Sequence, residues 1–446
     1  MRSVQSNRKL LGMYWVALGF AILFSFTFWY WAVYIREPVA RTEDLAKGRP
    51  LGNNSDLYPR WLGARELLLR GRDPYSTEIT REIQTGFYGR PLNSQKPSDP
   101  VDKESFAYPI YVVLFLAPTV NMPFDAVSRI FRWLLLVFAS LSVPVWMSAL
   151  RIRWPWLLTV SAMLLTASSP PAATEFFKQN LAAFVILLLA LSAAAAVRNW
   201  LALSGFLLAL ATIKPNTAAP WVFWFALWAI SDWKQRRRLL WSFSGTMAAL
   251  LIAAEVLSPH WIPRFLEGVR EYHSYANKPS IIDWLLPRFA ATFVEVWLVL
   301  SLIVACWRWR KAAAGSQQFG LALAWIGTVT VVLFPQLAVY NEFLLVPPLL
   351  VLAAGYSQIQ RLRVLARATT KGLFVCLISY WTVATALVAG SFFLPPAWMV
   401  AASALPDCPG NAIGPLTVMA LILTASPWRA SNSRSFVLNS SAPLLS

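Results

Sequence analysis

Residues 11–35 read LGMYWVALGFAILFSFTFWYWAVYI, an unbroken run without a single charge. A helix that crosses a bilayer needs about 20 mostly apolar residues, so this stretch predicts a membrane span. No small-residue cleavage site follows it, and it is too long for the core of a secretory signal. It therefore predicts a retained anchor. Working outward, similar stretches occupy 127–149, 155–171, 180–197, 240–257, 288–307, 318–335, 341–357, 372–393 and 411–427. Between 198 and 233 an apolar run is broken at Lys214-Pro215-Asn216, which predicts two short helices and brings the expected crossings to twelve. The whole chain of 446 residues agrees: 57% is hydrophobic and only 13% charged. A soluble domain carries about 25% charged residues, so a soluble fold is excluded. Disorder is excluded as well, because so apolar a chain must bury its surface. The expected fold class is an all-α polytopic membrane protein, a single domain over 1–427 with a serine-rich, disordered cytoplasmic tail at 428–446.

The net charge is +18. In a soluble protein that excess would suggest nucleic acid, but its placement follows the spans. Basic residues near span ends prefer the cytoplasm. The runs Lys234-Gln235-Arg236-Arg237-Arg238, Arg308-Trp309-Arg310-Lys311 and Arg361 to Lys371 fall on one side in the twelve-span arrangement, with Arg151, Arg153 and both termini. Of the 39 Lys and Arg residues, 19 lie on that side with Asp232 as the one acid. The basic balance thus describes a cell-membrane topology with cytoplasmic termini, and no nucleic-acid partner is expected. An alternative arrangement lets 108–120 cross and joins 200–232 into one kinked helix. It is disfavoured because 108–120 is short and Lys214 would then sit mid-helix at a cost of about 3 kcal/mol. Most of the 23 tryptophans fall at predicted span ends, among them Trp31, Trp156, Trp221, Trp233, Trp261, Trp284 and Trp307, as an interfacial belt would require.

The polar chemistry concentrates on the outer side. The first outer loop, 36–126, holds 12 of the 21 acids. No phosphate-cradling glycine motif for a nucleotide occurs. Any group transfer on that face needs a donor activated without a nucleotide, and a lipid phosphate is the natural one. Cys306, Cys376 and Cys408 have no zinc spacing, and with His260 and His273 as the two histidines neither a metal nor another cofactor is expected.

Within the loop, Leu57, Trp61, Ala64 and Leu68 recur at helical spacing, predicting an amphipathic helix suited to the membrane interface; Tyr108 to Val120 is a second interfacial piece. Asp56 starts that helix. It is either an N-cap, favoured by the helix dipole, or a carboxylate facing a cavity that acts as general base. Asp73, in Gly71-Arg72-Asp73-Pro74-Tyr75, fits a turn whose Asp bonds its own backbone. Lys214 either snorkels to the headgroups or binds a phosphate as a point charge. Glu175, Lys178, Gln179 and Asn180 open the fourth span, Asn180 as a polar start and Lys178 as a second phosphate candidate. Tyr340-Asn341-Glu342 opens the tenth span, where Glu342 is costly unless paired or wetted.

The order of these pieces resembles glycosyltransferase family 87 of the GT-C superfamily. It comprises a first span, a long outer loop opening on Asp56, Gly71-Arg72-Asp73-Pro74-Tyr75, Tyr108-Pro109, then Lys178-Gln179-Asn180, Ile213-Lys214-Pro215 and Tyr340-Asn341-Glu342-Phe343-Leu344-Leu345 before Pro347-Pro348. The resemblance runs over residues 11–360, more weakly to 427. It implies a GT-C-like bundle of about twelve transmembrane helices with a long outer loop carrying interfacial helices. It further implies an inverting transferase that moves a hexose, mannose first, from a polyprenyl-phosphate sugar to a glycolipid or glycan hydroxyl outside the cytoplasm. Asp56 occupies the position of the base; Lys214, Lys178, Gln179, Asn180, Tyr340, Glu342, Asp73 and Tyr75 are the substrate-binding candidates. The rivals are a transporter or flippase of lipid-linked sugars and a non-catalytic membrane protein of envelope assembly. A transporter would want polar groups along a path through the bilayer, whereas here the acids crowd one face.

Overall fold

The computed structural model describes residues 2–93, 95–275, 279–334, 338–361, 364–393 and 407–425. The expected tail at 428–446 lies outside them. Among the described residues every regular element is helical. Five stretches are long and apolar enough to cross a membrane: Lys9–Ala46, Phe124–Ala149, Trp233–Leu257, Arg288–Trp309 and Val364–Ser391. Shorter apolar helices lie at Trp156–Ala167, Leu201–Ala211, Gln317–Leu333, Val339–Ala354 and Ile413–Thr424.

The first helix overshoots the expected end at residue 35. It runs from Arg2 to Tyr30, widens into a π turn at Trp31–Arg36 and continues as Glu37–Ala46. The π turn contains Tyr34, whose carbonyl the ring of Pro38 would meet in a regular α-helix. The helical path ends at Ala46, and the irregular segment begins at residue 47.

Three interruptions shape the bundle. Helix Pro170–Lys178 bends by 120° into Ala182–Val197. Gln179 (φ 52°) and Leu181 (φ 70°) make that corner in the left-handed region, which is costly for residues other than glycine. Leu201–Ala211 stops at Thr212, and a new helix, Pro215–Ile230, starts after Lys214; the first turn is where a proline's missing N–H costs nothing. Residues 200–232 are thus two helices. The third interruption is the 3₁₀ segment Val339–Leu345, which leads into Val346–Ala354. Residues 108–120 hold only the five-residue helix Val112–Leu116 and a 3₁₀ turn at Ala117–Thr119, much too short to cross.

Gly205 sets one close contact: its helix lies against the Leu239 carbonyl of Trp233–Leu257, where any β-carbon would collide. The core is aromatic. Trp146 and Trp221 lie tilted with ring centres 5.3 Å apart, and Trp224 meets Phe319 edge-on at 5.1 Å, the latter a geometry that adds to area burial. This corrects the belt. Trp31, Trp221 and Trp261 are buried core residues, while Trp156, Trp233, Trp284 and Trp307 are exposed as a belt requires.

Two of the three basic runs meet at one end. Arg236 donates to the carbonyls of Trp228, Arg310 and Ala312, Arg151 lies against Gly315, and Arg198 donates to Ser148 Oγ at 3.0 Å. Helix Ala182–Val197 runs from Asn180 to Arg198 and helix Pro215–Ile230 from Lys214 toward Trp228. The interruptions at Asn180 and Lys214 therefore belong to the opposite end.

Over that opposite end lie Leu57–Arg70 and Thr77–Tyr88. Leu57, Trp61 and Ala64 are buried as their spacing predicts, but Arg60 and Glu66 are buried too, so the helix is covered on more than one face. Arg70 and Arg72 both hold Glu66, at 2.9 and 2.6 Å, and Arg72 also reaches Glu78 and Glu82. This charge network ties the two outer helices together and accounts for two of the loop's arginines.

Candidate functional site

The segment before Leu57–Arg70 is pinned by its backbone. Asn53 and Asn54 donate to the carbonyls of Gly86 and Phe87, and the Asp56 N–H donates to the Lys178 carbonyl at 2.7 Å. Ser55 Oγ donates to Gln179 Oε1 at 2.7 Å and accepts the Leu57 N–H at 3.3 Å. Ser55 thereby takes the capping work expected of Asp56, whose side chain caps nothing. Arg60 donates to the Asp56 backbone carbonyl.

The freed carboxylate turns to the helix corner. Asp56 Oδ2 accepts from Asn180 Nδ2 at 2.7 Å, and Oδ1 has no hydrogen bond among the described residues. On its other side Asn180 Oδ1 accepts from Lys214 Nζ at 2.7 Å. Lys214 donates again to Asn341 Oδ1 at 2.8 Å and sits 4.5 Å from the Tyr340 ring centre, a cation–π distance. Asn180, Lys214 and Asn341 come one from each of the three interruptions. Three breaks in regular helix thus deliver polar side chains to one spot.

A roof closes over them. The Arg60 guanidinium lies 3.9 Å above the Tyr108 ring. Tyr75 Oη donates to the Tyr108 carbonyl at 2.6 Å, and Tyr111 Oη donates to the Thr212 carbonyl at 2.9 Å. Helix Trp261–Tyr275 is clasped to this roof by Arg264–Asp73 at 2.5 Å and Lys103–Glu271 at 2.6 Å. Glu104 completes it, at a left-handed φ of 49° with its N–H on Asp102 Oδ1. Burial pushes the Glu104 carboxyl well above the usual range, and the charges of Asp102 and Asp56 push the same way. Burial likewise raises the Tyr108 phenol.

Among the sequence candidates, Asp56, Asn180, Lys214 and Tyr340 come together. Gln179 is buried; it accepts from Ser55 and Ser128 and donates to the Phe176 carbonyl, so it holds the corner. Lys178 contributes its backbone carbonyl, and its ammonium lies 5.9 Å from the Phe87 ring centre. Glu342 is half-buried on the 3₁₀ segment, with contacts of its own. Asp73 and Tyr75 are committed to the roof. Arg60, Glu104, Tyr108 and Asn341 were not singled out as site residues. Asn341 stands between two that were; Arg60 and Glu104 gave no local signal.

Chemically, a carboxylate with one open oxygen stands two hydrogen bonds from a cation. Such an arrangement can take up a proton at one end and neutralise an anion at the other. The sequence model of glycosyltransferase family 87 matches residues 106–335, half of the chain, spanning Tyr108, the Asn180 corner and Lys214 but not Asp56. No curated protein and no solved structure matches the chain.

Proposed function

The chain belongs to glycosyltransferase family 87, a family of membrane glycosyltransferases that take a sugar donor and an acceptor, and from that premise we propose that it transfers a hexose from a polyprenyl-phosphate sugar. Mannose is the first sugar to test. The acceptor is a hydroxyl of a glycolipid or glycan on the extracytoplasmic face, and the anomeric centre inverts. The observation that carries the proposal is the line Asp56–Asn180–Lys214.

The donor's isoprenoid tail lies among the spans and its phosphate meets Lys214. The acceptor oxygen attacks the anomeric carbon and gives its proton to Asp56 Oδ1. The bond from that carbon to the phosphate oxygen breaks, its electron pair leaves with the phosphate, and polyprenyl phosphate is released. A positioned base contributes about 10²–10⁴ in rate, and a fixed cation where charge develops adds its own stabilisation. The amide of Asn180 holds the two groups in register. The basic end of the bundle supports a cytoplasmic assignment for both termini, with twelve crossings of the cell membrane and the site on the far face.

The test is transfer of radiolabelled mannose from polyprenyl-phosphomannose to membrane glycolipids by detergent-solubilised protein. Transfer with inversion supports the proposal. A protein that only moves lipid-linked sugars across vesicles, without forming a glycosidic bond, overturns it.

A further inference from the structure

Glu175 is the buried acid that this mechanism leaves unused. It is fully buried on helix Pro170–Lys178. Oε1 accepts the Ala183 N–H at 3.2 Å across the helix corner, and Oε2 has no hydrogen-bond partner among the described residues. A buried carboxylate held by one backbone bond is expensive unless an opposite charge compensates it. The same corner brings an opposite charge close: Glu175 is bonded at Ala183 and Lys214 at Asn180, three residues apart, and each of the two charges favours the ionised form of the other. They are not in contact: no ion pair within 4.0 Å joins them, and Lys214 spends its hydrogen bonds on the neutral amides of Asn180 and Asn341. Asp56 and Arg60, from the outer helix and its cap, also face the pair. Lys178 stands on the same helix as Glu175, and Tyr340 and Glu342 stand on the 3₁₀ segment.

We propose that Glu175 is a positioning residue, a remote counter-charge that keeps Lys214 an ammonium while leaving its donor face to the phosphate. The inference rests on the phosphate role given to Lys214. An acid in direct contact would occupy the ammonium and compete with the phosphate. An acid one layer back stabilises the charge without blocking it. A pure helix cap at Ala183 would need only an acceptor oxygen, which glutamine also supplies.

The experiment compares Glu175→Gln with wild type in binding and transfer of polyprenyl-phosphomannose, a phosphodiester of constant charge, across pH 5.5–9. Glutamine keeps the cap and removes the charge. At the acid end, where Lys214 is an ammonium in both proteins, the variant binds at least as tightly as wild type. One pH unit above its alkaline limb it binds about tenfold more weakly, and that limb lies at lower pH than in the wild type. Adding Lys214→Arg, whose guanidinium stays charged, removes the limb. A Glu175→Gln profile parallel to wild type, with wild-type transfer intact, overturns the proposal alone. Absence of donor binding and transfer by the wild type overturns the functional reading and this inference with it. If Glu175→Gln does not accumulate, the pair Glu175→Gln, Lys214→Met should accumulate, since both buried charges are gone. Equal failure of the single and double variants contradicts a charge role.

Discussion

The same outer loop carries two aspartates beside ordered turns, Asp56 and Asp73, and their surroundings use them in opposite ways. Asp73 is spent. One oxygen accepts the Tyr75 N–H at 3.1 Å and the other pairs with Arg264. A plain N-cap was one of the two readings of Asp56, yet Ser55 bonds the helix N-terminus instead. One Asp56 oxygen leads through a neutral amide to a cation, and the other is open. A carboxylate whose oxygens are both bound holds structure. One that is half bound, and aimed by its single bond, has an oxygen left over, which is what the proposed base requires.

Exchanging the two aspartates in turn should separate these roles. Asp56→Asn is expected to lower transfer by about 10²–10⁴ with an unchanged melting temperature, since the lost charge caps no helix and asparagine can still accept from Asn180. A larger rate loss for Asp73→Asn would invert the comparison. Lys214→Met tests the far end of the line. Removing the cation opposite the leaving phosphate should cost about 10² in transfer, measured with saturating acceptor, while Lys214→Arg keeps part of it. Asp73→Asn should act on stability instead. The pair with Arg264 is about one-third exposed on each side, so its loss costs within about 1 kcal/mol, read as a small drop in melting temperature with transfer within a few-fold of wild type.

The smallest effect concerns Glu104, the roof's own half-buried acid. Its folded-state carboxyl holds a proton to higher pH than the unfolded chain does. The folded state therefore binds the extra proton, and stability falls as pH rises from about 4.3, the unfolded value, through the raised folded one. Glu104→Gln should remove that slope. Its melting temperature should exceed wild type at neutral pH and match it near pH 4. A melting curve that improves with pH in wild type would reverse the sign.

Much of the fold was legible because membrane helices are written in unbroken apolar runs and their interruptions in proline and charge. Lys214-Pro215 announced a break, and a break is there. The helix runs on beyond the apolar stretch 11–35 because the π turn carries it through Pro38, which no apolar run announces. The tryptophan belt failed at Trp221 for a different reason: position along the chain says nothing about which helix lies opposite, and Trp146 does. The candidate site was half legible. Lys214 and Tyr340 are polar residues in apolar company, and Asp56 and Asn180 close short polar runs just before apolar helices, which draws notice one at a time. Their meeting is a product of three separate interruptions folding to one point, and no local spacing encodes that. Arg60 was hidden because a helix period assigns it to a polar face, whereas the Tyr108 segment covers that face.

The most direct measurement is an electron cryo-microscopy structure of the protein with a non-hydrolysable polyprenyl-phosphosugar bound. The phosphate should lie within hydrogen-bond distance of Lys214 Nζ, with the anomeric carbon turned toward Asp56 Oδ1. A donor phosphate held at the basic end, among Arg151, Arg236 and Arg310, would contradict the proposal outright.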